Sequence, residues 1–233
     1  MKEKKKKVKS ITVKANKKGR HIMKLMNFLR VLVIPLYYLV KPFRFYGNRK
    51  VADGACLYVC NHYTLMDAVY PACTTWEGIH YIGKQEIADA FLIGPIAKGV
   101  KMISVNRDGK DVRGLLDCFK CLKNNEKLAI FPEGTRNKSD AELLPFHHGA
   151  AAIAIRSKVK IVPMVIYKKP RFFRRTHILI GDPFELTEYY DKKLTEAEFA
   201  EADEKLRERM LAMRAEHTKF LEAKKQAKKG KKA

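Results

Sequence analysis

Several absences narrow the class of this 233-residue chain before any motif is read. It has five cysteines, an odd number, so no disulfide framework can be written, and a reducing compartment is expected. It has no Gly-rich nucleotide loop of either standard spacing, no Gly-x-Ser-x-Gly elbow to carry a nucleophilic serine, and no internal repeat. No apolar run reaches the roughly 20 residues needed to cross a bilayer. Acidic residues are nearly missing from the two ends. Residues 1–50 hold one acid against 16 Lys and Arg, and residues 224–233 hold none against six Lys.

The net charge of +23 is therefore a property of the ends. Residues 51–223 carry 26 basic and 24 acidic groups and are close to neutral. Polycationic tails are drawn to anionic lipid, nucleic acid or acidic proteins, or serve only to solubilise. The flanking sequence favours lipid. Residues 22–40 read IMKLMNFLRVLVIPLYYLV. Lys24, Asn27 and Arg30 recur every third residue and would form one polar stripe on a helix, followed by the apolar run Val31–Val40 with Pro35 inside it. Ten helical residues span about 15 Å, half of a hydrocarbon core. An interfacial anchor with basic flanks is expected. A signal peptide, a single transmembrane helix and a buried core helix are the alternatives. No small-residue cleavage site follows Val40, where Lys41-Pro42-Phe43-Arg44 stands.

Downstream the pattern alternates in the α/β manner. Strands are expected at 56–60, 101–105, 128–131, 161–166 and 177–180, and helices near 65–75, 85–92, 110–124 and 148–157. Cys118 and Cys121 form a C-x-x-C, but they edge the apolar face of an amphipathic helix and have no second ligand pair, so packing is their expected role. A last helix starts at a capping box, Thr195 with Glu198, and its 3–4 spacing from Phe199 to Phe220 marks a packing face that carries His217 along.

Two loops hold the chemistry. After the apolar segment Cys56–Cys60 comes NHYTLMD, residues 61–67. His62 and Asp67 are a candidate base and its orienter: the imidazole takes a proton from an attacking hydroxyl while the carboxylate fixes its tautomer. Positions five apart lie on different faces of a helix, so His62 should precede a helix and Asp67 should sit in its first turn. Thr64 and Asp67 have capping spacing, which starts that helix near Leu65. An isolated H-x4-D is also what an ordinary satisfied histidine beside a helix carboxylate looks like. The second loop is FPEGTRN, residues 131–137, after Leu128-Ala129-Ile130. Pro132 and Gly134 make a tight turn where backbone amides can approach an anion, and Arg136 offers a planar fork for a phosphate monoester.

In order, NH-x4-D, Arg107 after the strand-like Ile103-Ser104-Val105, FPEGTR and the Val162-Pro163 of IVPMVI resemble the glycerolipid acyltransferase family, and within it the 1-acylglycerol-3-phosphate acyltransferases. The resemblance covers residues 45–185. It implies a single α/β acyltransferase domain with a mixed central sheet flanked by helices, behind an N-terminal membrane-associated helical segment. The expected layout is a basic arm and anchor at 1–44, the acyltransferase domain at 45–190, an amphipathic helix at 191–223 and a Lys-rich tail at 224–233.

The resemblance also implies roles. His62 and Asp67 would be catalytic. Arg107, Glu133, Gly134, Thr135 and Arg136 would bind the acceptor and its phosphate, and Pro163 would lie on the acyl-binding side. The implied reaction moves a fatty acyl chain from acyl-CoA or acyl carrier protein to the free hydroxyl of 1-acylglycerol 3-phosphate, making phosphatidic acid, with no metal or cofactor. Glycerol 3-phosphate or another lysophospholipid is the alternative acceptor. The implied setting is the cytoplasmic face of a membrane bearing anionic lipid. The sequence departs from the family at one place. Pro145-Phe146-His147-His148-Gly149 stands where Pro-Phe-Lys-x-Gly is usual, so a phosphate contact there would be weaker or pH-dependent. A nucleic-acid-binding protein is the competing class. It would use Arg171-Phe172-Phe173-Arg174-Arg175, but the near-neutral core has no reader motif and no such partner is expected.

Overall fold

A computed structural model describes residues 30–49, 53–89, 102–105, 112–147 and 149–230. Helix α1 (30–40) leads into β1 (Phe43–Gly47) and β2 (Cys56–Cys60). A 3-10 turn (Leu65–Ala68) runs into α2 (Val69–Ala72), then β3 (Ile79–Gly83), α3 (Gln85–Asp89) and β4 (Ile103–Ser104). The rest is α4 (Val112–Lys123), β5 (Lys127–Ile130), α5 (Ala150–Ser157), β6 (Lys160–Ile166), β7 (Thr176–Ile180) and α6 (Glu196–Gly230).

The seven strands form one sheet in the order β1-β7-β6-β2-β5-β3-β4. Strands β6, β2, β5, β3 and β4 run parallel, β7 is antiparallel to β6, and β1 is parallel to β7. The mixed sheet flanked by helices is thus as expected. All five side chains of β2 are buried because both faces of the sheet are covered, which is why this strand reads as an unbroken apolar run. On one face Leu57, Val59, Ile161 and Val165 pack against Cys118, Cys121 and Leu122 of α4, Ala150 to Ile155 of α5, and Ala202, Leu206 and Met210 of α6. On the other, Tyr58, Cys60, Met164 and Ile166 pack against Tyr37 of α1 and against Tyr63 and Tyr70.

Five features depart from the sequence pattern. Strands β1 and β3 have no counterpart in it, and β1 straddles the boundary expected at residue 44. The helix expected over 65–75 is a 3-10 turn followed by one α-helical turn. Arg30 does not sit on an exposed polar stripe: it is buried, and its guanidinium donates to the carbonyls of Trp76 and Glu77, both at 2.7 Å. Lys24 and Asn27 lie outside the described residues. Finally α6 continues without a break to Gly230, through the stretch expected to be a separate tail. Two carboxylates tie α6 to the domain's loops. Asp203 accepts from the amides of Gly149 and Ala151, and Glu142 pairs with Arg214 at 3.0 Å.

Candidate active site

Strands β2 and β5 are neighbours, but the chain leaves them in opposite directions, from β2 toward β3 and from β5 toward β6. The two connections pass over opposite faces of the sheet, Tyr70 packing on one and α5 on the other. Loops that part to opposite faces from the carboxyl ends of adjacent parallel strands leave a crevice between them, the usual ligand site of such sheets. NHYTLMD leaves one strand and FPEGTRN the other.

The first loop satisfies itself. Asn61 is fully buried and acts as a side-chain extension of the ladder: its Oδ1 accepts from the Ile166 amide at 2.7 Å, and its Nδ2 donates to the Ile166 carbonyl at 2.9 Å. Thr64 caps the following turn, with Asp67 three residues on. Asp67 is fully buried, and its Oδ2 accepts from the amides of Tyr63 at 2.6 Å and Thr64 at 2.7 Å. Its Oδ1 accepts from the Thr64 hydroxyl at 2.7 Å. Its Oδ2 also lies 3.1 Å from Nδ1 of His62. A carboxylate only accepts, so this network assigns the His62 proton to Nδ1 and leaves the Nε2 lone pair for a ligand. The imidazole stacks on Phe131, centroid to centroid 4.2 Å, which fixes its plane.

The second loop is tied to the first and yet left incomplete. The Asn137 amide donates to the His62 carbonyl at 2.6 Å, and the His147 amide donates to that of Pro132 at 2.8 Å. Gly134 closes the turn onto Phe131 and takes φ of +63°, a left-handed conformation that costs glycine little. The buried Asn137 side chain organises residues 138–141, donating to the Ala141 carbonyl and accepting from Ser139. Glu133 differs from all of these. It is fully buried, and neither carboxylate oxygen makes a hydrogen bond among the described residues. Burial pushes its pKa up to about 8. The nearby amides of Leu144 and His62 oppose the shift, and the charge of Asp67 adds to it.

Thr135 and Arg136 are exposed at the mouth of the crevice. Arg107 and His148 lie outside the described residues, and His147 is exposed. Pro163 is not beside His62. It lies mid-sheet opposite Val59, where its carbonyl accepts from Gly181 and its side chain packs beneath that glycine. Its missing N–H points to the β7 side, where the β6–β7 ladder has already ended, so a central strand tolerates a proline there. The cysteines are packing groups. Burial pushes the Cys56 thiol up to about 11 and that of Cys118 to about 12. Among the described residues one group has metal-ligand composition: His80, Cys121 and Glu126, with ligand atoms within 4.8 Å of one another. It lies at the amino ends of β3 and β5, the far end of the sheet from His62, and holds a His80–Glu126 contact of 3.4 Å. Asn61, Phe131 and Asn137 also belong to the site. They stand inside the two motif segments, but the sequence assigns them no part, and their position beside the reactive residues is the one signal that could have found them.

A sequence model described as Acyltransferase matches residues 42–167, just over half of the chain. The chain belongs to the acyltransferase family. It is 38% identical over 122 residues to a 1-acyl-sn-glycerol-3-phosphate acyltransferase of Helicobacter pylori, an alignment covering 52% of each protein. It is 30% identical over 173 residues to the protein of that name from Bacillus subtilis, covering 70% of this chain and 77% of the relative. For several curated relatives, the first included, the chain spans about half of their length or less. The crystal structure of the 1-acyl-sn-glycerophosphate (LPA) acyltransferase PlsC from Thermotoga maritima shares the fold, with a TM-score of 0.61 and 19% identity over 83% of this chain and 80% of that one.

Proposed function

We propose that this acyltransferase moves a fatty acyl chain from a thioester to the free hydroxyl of 1-acylglycerol 3-phosphate, making phosphatidic acid. The observation that carries the proposal is the His62–Asp67 pair, joined through the Asn137 amide to the loop that bears Arg136. Nε2 of His62 takes the hydroxyl proton, and Asp67 stabilises the imidazolium. The alkoxide attacks the thioester carbonyl, the carbon–sulfur bond breaks, and the departing thiolate takes the proton back from His62. Arg136, with Arg107, holds the acceptor phosphate as a charge-assisted fork. Glu133 and Gly134 shape the turn under the acceptor's glycerol. The scheme uses no cofactor beyond the acyl-CoA or acyl carrier protein donor.

The acceptor is a lipid, and we place the enzyme on an anionic membrane surface, on its cytoplasmic face. Among the described residues no helix is long and apolar enough to cross a membrane. The support is an apolar stripe: Val31, Leu32, Leu36 and Leu39 of α1 point away from the domain, exposed by 58–72%. Trp76 stands beside the start of this helix and is 72% exposed, its carbonyl held by Arg30. Phe172 and Phe173 stand at the other end, where Phe173 N–H bonds the Val40 carbonyl and Lys41 lies 4.6 Å over the Phe172 ring. Aromatic and basic side chains bracketing an exposed aliphatic stripe suit a bilayer interface.

The deciding experiment is an acyl-transfer assay on the full chain with a panel of acceptors and both thioester donors. Turnover of 1-acylglycerol 3-phosphate is expected. Turnover of glycerol 3-phosphate alone would move the assignment to the preceding acylation.

A further inference from the structure

At the same end of the sheet as His62 lies a second basic hollow, which the proton transfer and the acceptor contacts leave unused. It is a cavity of about 360 Å³ between the loop after Asn137, the segment after β6 and α6. Tyr63, the residue after His62, forms part of its wall, and so does Asn137, whose amide holds the His62 carbonyl. The hollow is therefore within a residue or two of the base.

Its chemistry is that of a phosphate site. Lys138, Lys168, Lys169 and Arg171 line it with exposed side chains, and none of these side chains makes a hydrogen bond or ion pair among the described residues. Arg214 lines it from α6 and is only 8% exposed. Its Nη2 pairs with Glu142, but its Nη1 is buried without a hydrogen-bond partner. That N–H is a donor open to an acceptor at the wall of the hollow. Arg214 and Glu142 offset each other, which leaves the four exposed cations against one acid, Asp140. Such a hollow favours an anion with several acceptor oxygens.

We infer that this hollow binds phosphate of the thioester donor. The inference rests on the acyl-transfer reading. That reaction has two phosphate-bearing substrates meeting at one histidine, and the exposed Arg136 at the crevice mouth serves the other one. The shared chemistry is a phosphate group: the nucleotide and diphosphate of CoA, or the single phosphodiester that tethers pantetheine to a carrier protein. Arg171 leads straight into Phe172 and Phe173, so a lipid headgroup is the competing source of the same chemistry.

The test uses the full chain, Lys168→Ser/Lys169→Ser and Arg214→Gln. Calorimetry with adenosine 3′,5′-bisphosphate and with CoA should show wild-type binding that weakens about tenfold in each variant and falls with added salt. In turnover assays the donor KM should rise about tenfold, with kcat and acceptor KM within about twofold of wild type. The two lysines are exposed, so their variant reports on the site even if Arg214→Gln melts early. A rise in acceptor KM with donor KM unchanged would overturn the inference and give the hollow to the acceptor. Loss of flotation with anionic vesicles at unchanged donor KM would overturn it in favour of a lipid headgroup. Calorimetry also separates the two readings: if no acceptor is acylated but CoA still binds here, only the reaction is wrong. If the phosphodiester-bearing carrier protein, and not CoA, shows the KM shift, the donor is the carrier.

Discussion

Asp67 and Glu133 are both fully buried carboxyl groups at the carboxyl ends of neighbouring strands, and they are handled in opposite ways. Asp67 accepts from two backbone amides, a hydroxyl and an imidazole. Glu133 accepts from none among the described residues, and burial raises its pKa to about 8. The first loop is finished before any substrate arrives, which is what a base needs if its tautomer and plane are to be set in advance. The second is unfinished. Its buried acid is proton-bearing at neutral pH, and Thr135 and Arg136 face solvent. One loop is closed on itself by hydrogen bonds; the other leaves a buried acid and two exposed side chains unbonded among the described residues.

The largest effect should come from the finished loop. His62→Ala is expected to lower kcat about 10²–10⁴-fold with the fold intact by circular dichroism. Asp67→Asn should lose a comparable amount, and stability as well. Its neutral carbonyl can take the place of Oδ2, with the amide NH2 toward the Thr64 hydroxyl, but the charge-assisted bonds from the Tyr63 and Thr64 amides and from His62 are weakened. Glu133→Gln, the same chemical change, should leave the melting temperature no lower. If Glu133→Gln matched Asp67→Asn in both activity and melting, the contrast between the two carboxyls would be lost.

Glu133 makes a pH prediction of definite sign. Its folded pKa lies above the ordinary value of 4.5. Below pH 4.5 both states carry the proton and there is no penalty. As pH rises from about 4.5 to about 8 the unfolded carboxyl ionises while the buried one does not, so stability falls through that window and levels off above it. The loss is on the order of a few kcal/mol. Denaturant titrations of Glu133→Gln should show a shallower decline over this range than the wild type. Parallel slopes would mean that water or a rearrangement already solvates the carboxyl. A smaller change, about 1–3 kcal/mol, is expected for Asn137→Ala, which removes the hydrogen bonds that hold Ser139 and Ala141 in the loop. The backbone N–H that anchors the His62 carbonyl is kept in alanine, so kcat should fall only as far as the loosened loop shifts that bond.

The motifs are legible in the sequence because chemistry needs particular side chains in order, and strands β2, β5 and β6 because burial on both faces makes them apolar, apart from the lysine that opens β5 and β6. The features that escape depend on partners far along the chain. Strand β3 reads IHYIG, and its histidine and terminal glycine break any run. Strand β1 lies within a segment whose basic neighbours give it the look of an anchor. Arg30 resembles one tooth of a polar stripe, yet it is consumed by two carbonyls 46 and 47 residues away. Asn61 meets Ile166 across 105 residues, and nothing local announces that contact. The state of Glu133 is equally hidden: the sequence shows an acid in a turn, and only packing shows it buried with no hydrogen bond of good geometry among the described residues.

The smallest expected effect tests the open half of the comparison. Arg136 is exposed and tied to no partner among the described residues, so replacing it should not disturb the fold, and any change in turnover must come from substrate. Arg136→Ala should raise the acceptor KM about tenfold or more while the donor KM stays put, since its proposed ligand is the acceptor phosphate. Arg136→Lys keeps the charge but loses the two-pronged geometry, so it should recover part of that loss and no more. Added salt should narrow the gap between the lysine variant and the alanine variant, because the lysine acts as a screened point charge. Full recovery by lysine would mean that only charge at the crevice mouth matters. An equal rise in donor and acceptor KM would mean that the loop's open valences do not belong to the acceptor alone, and that the division of labour between the two loops is less clean than their hydrogen bonding makes it.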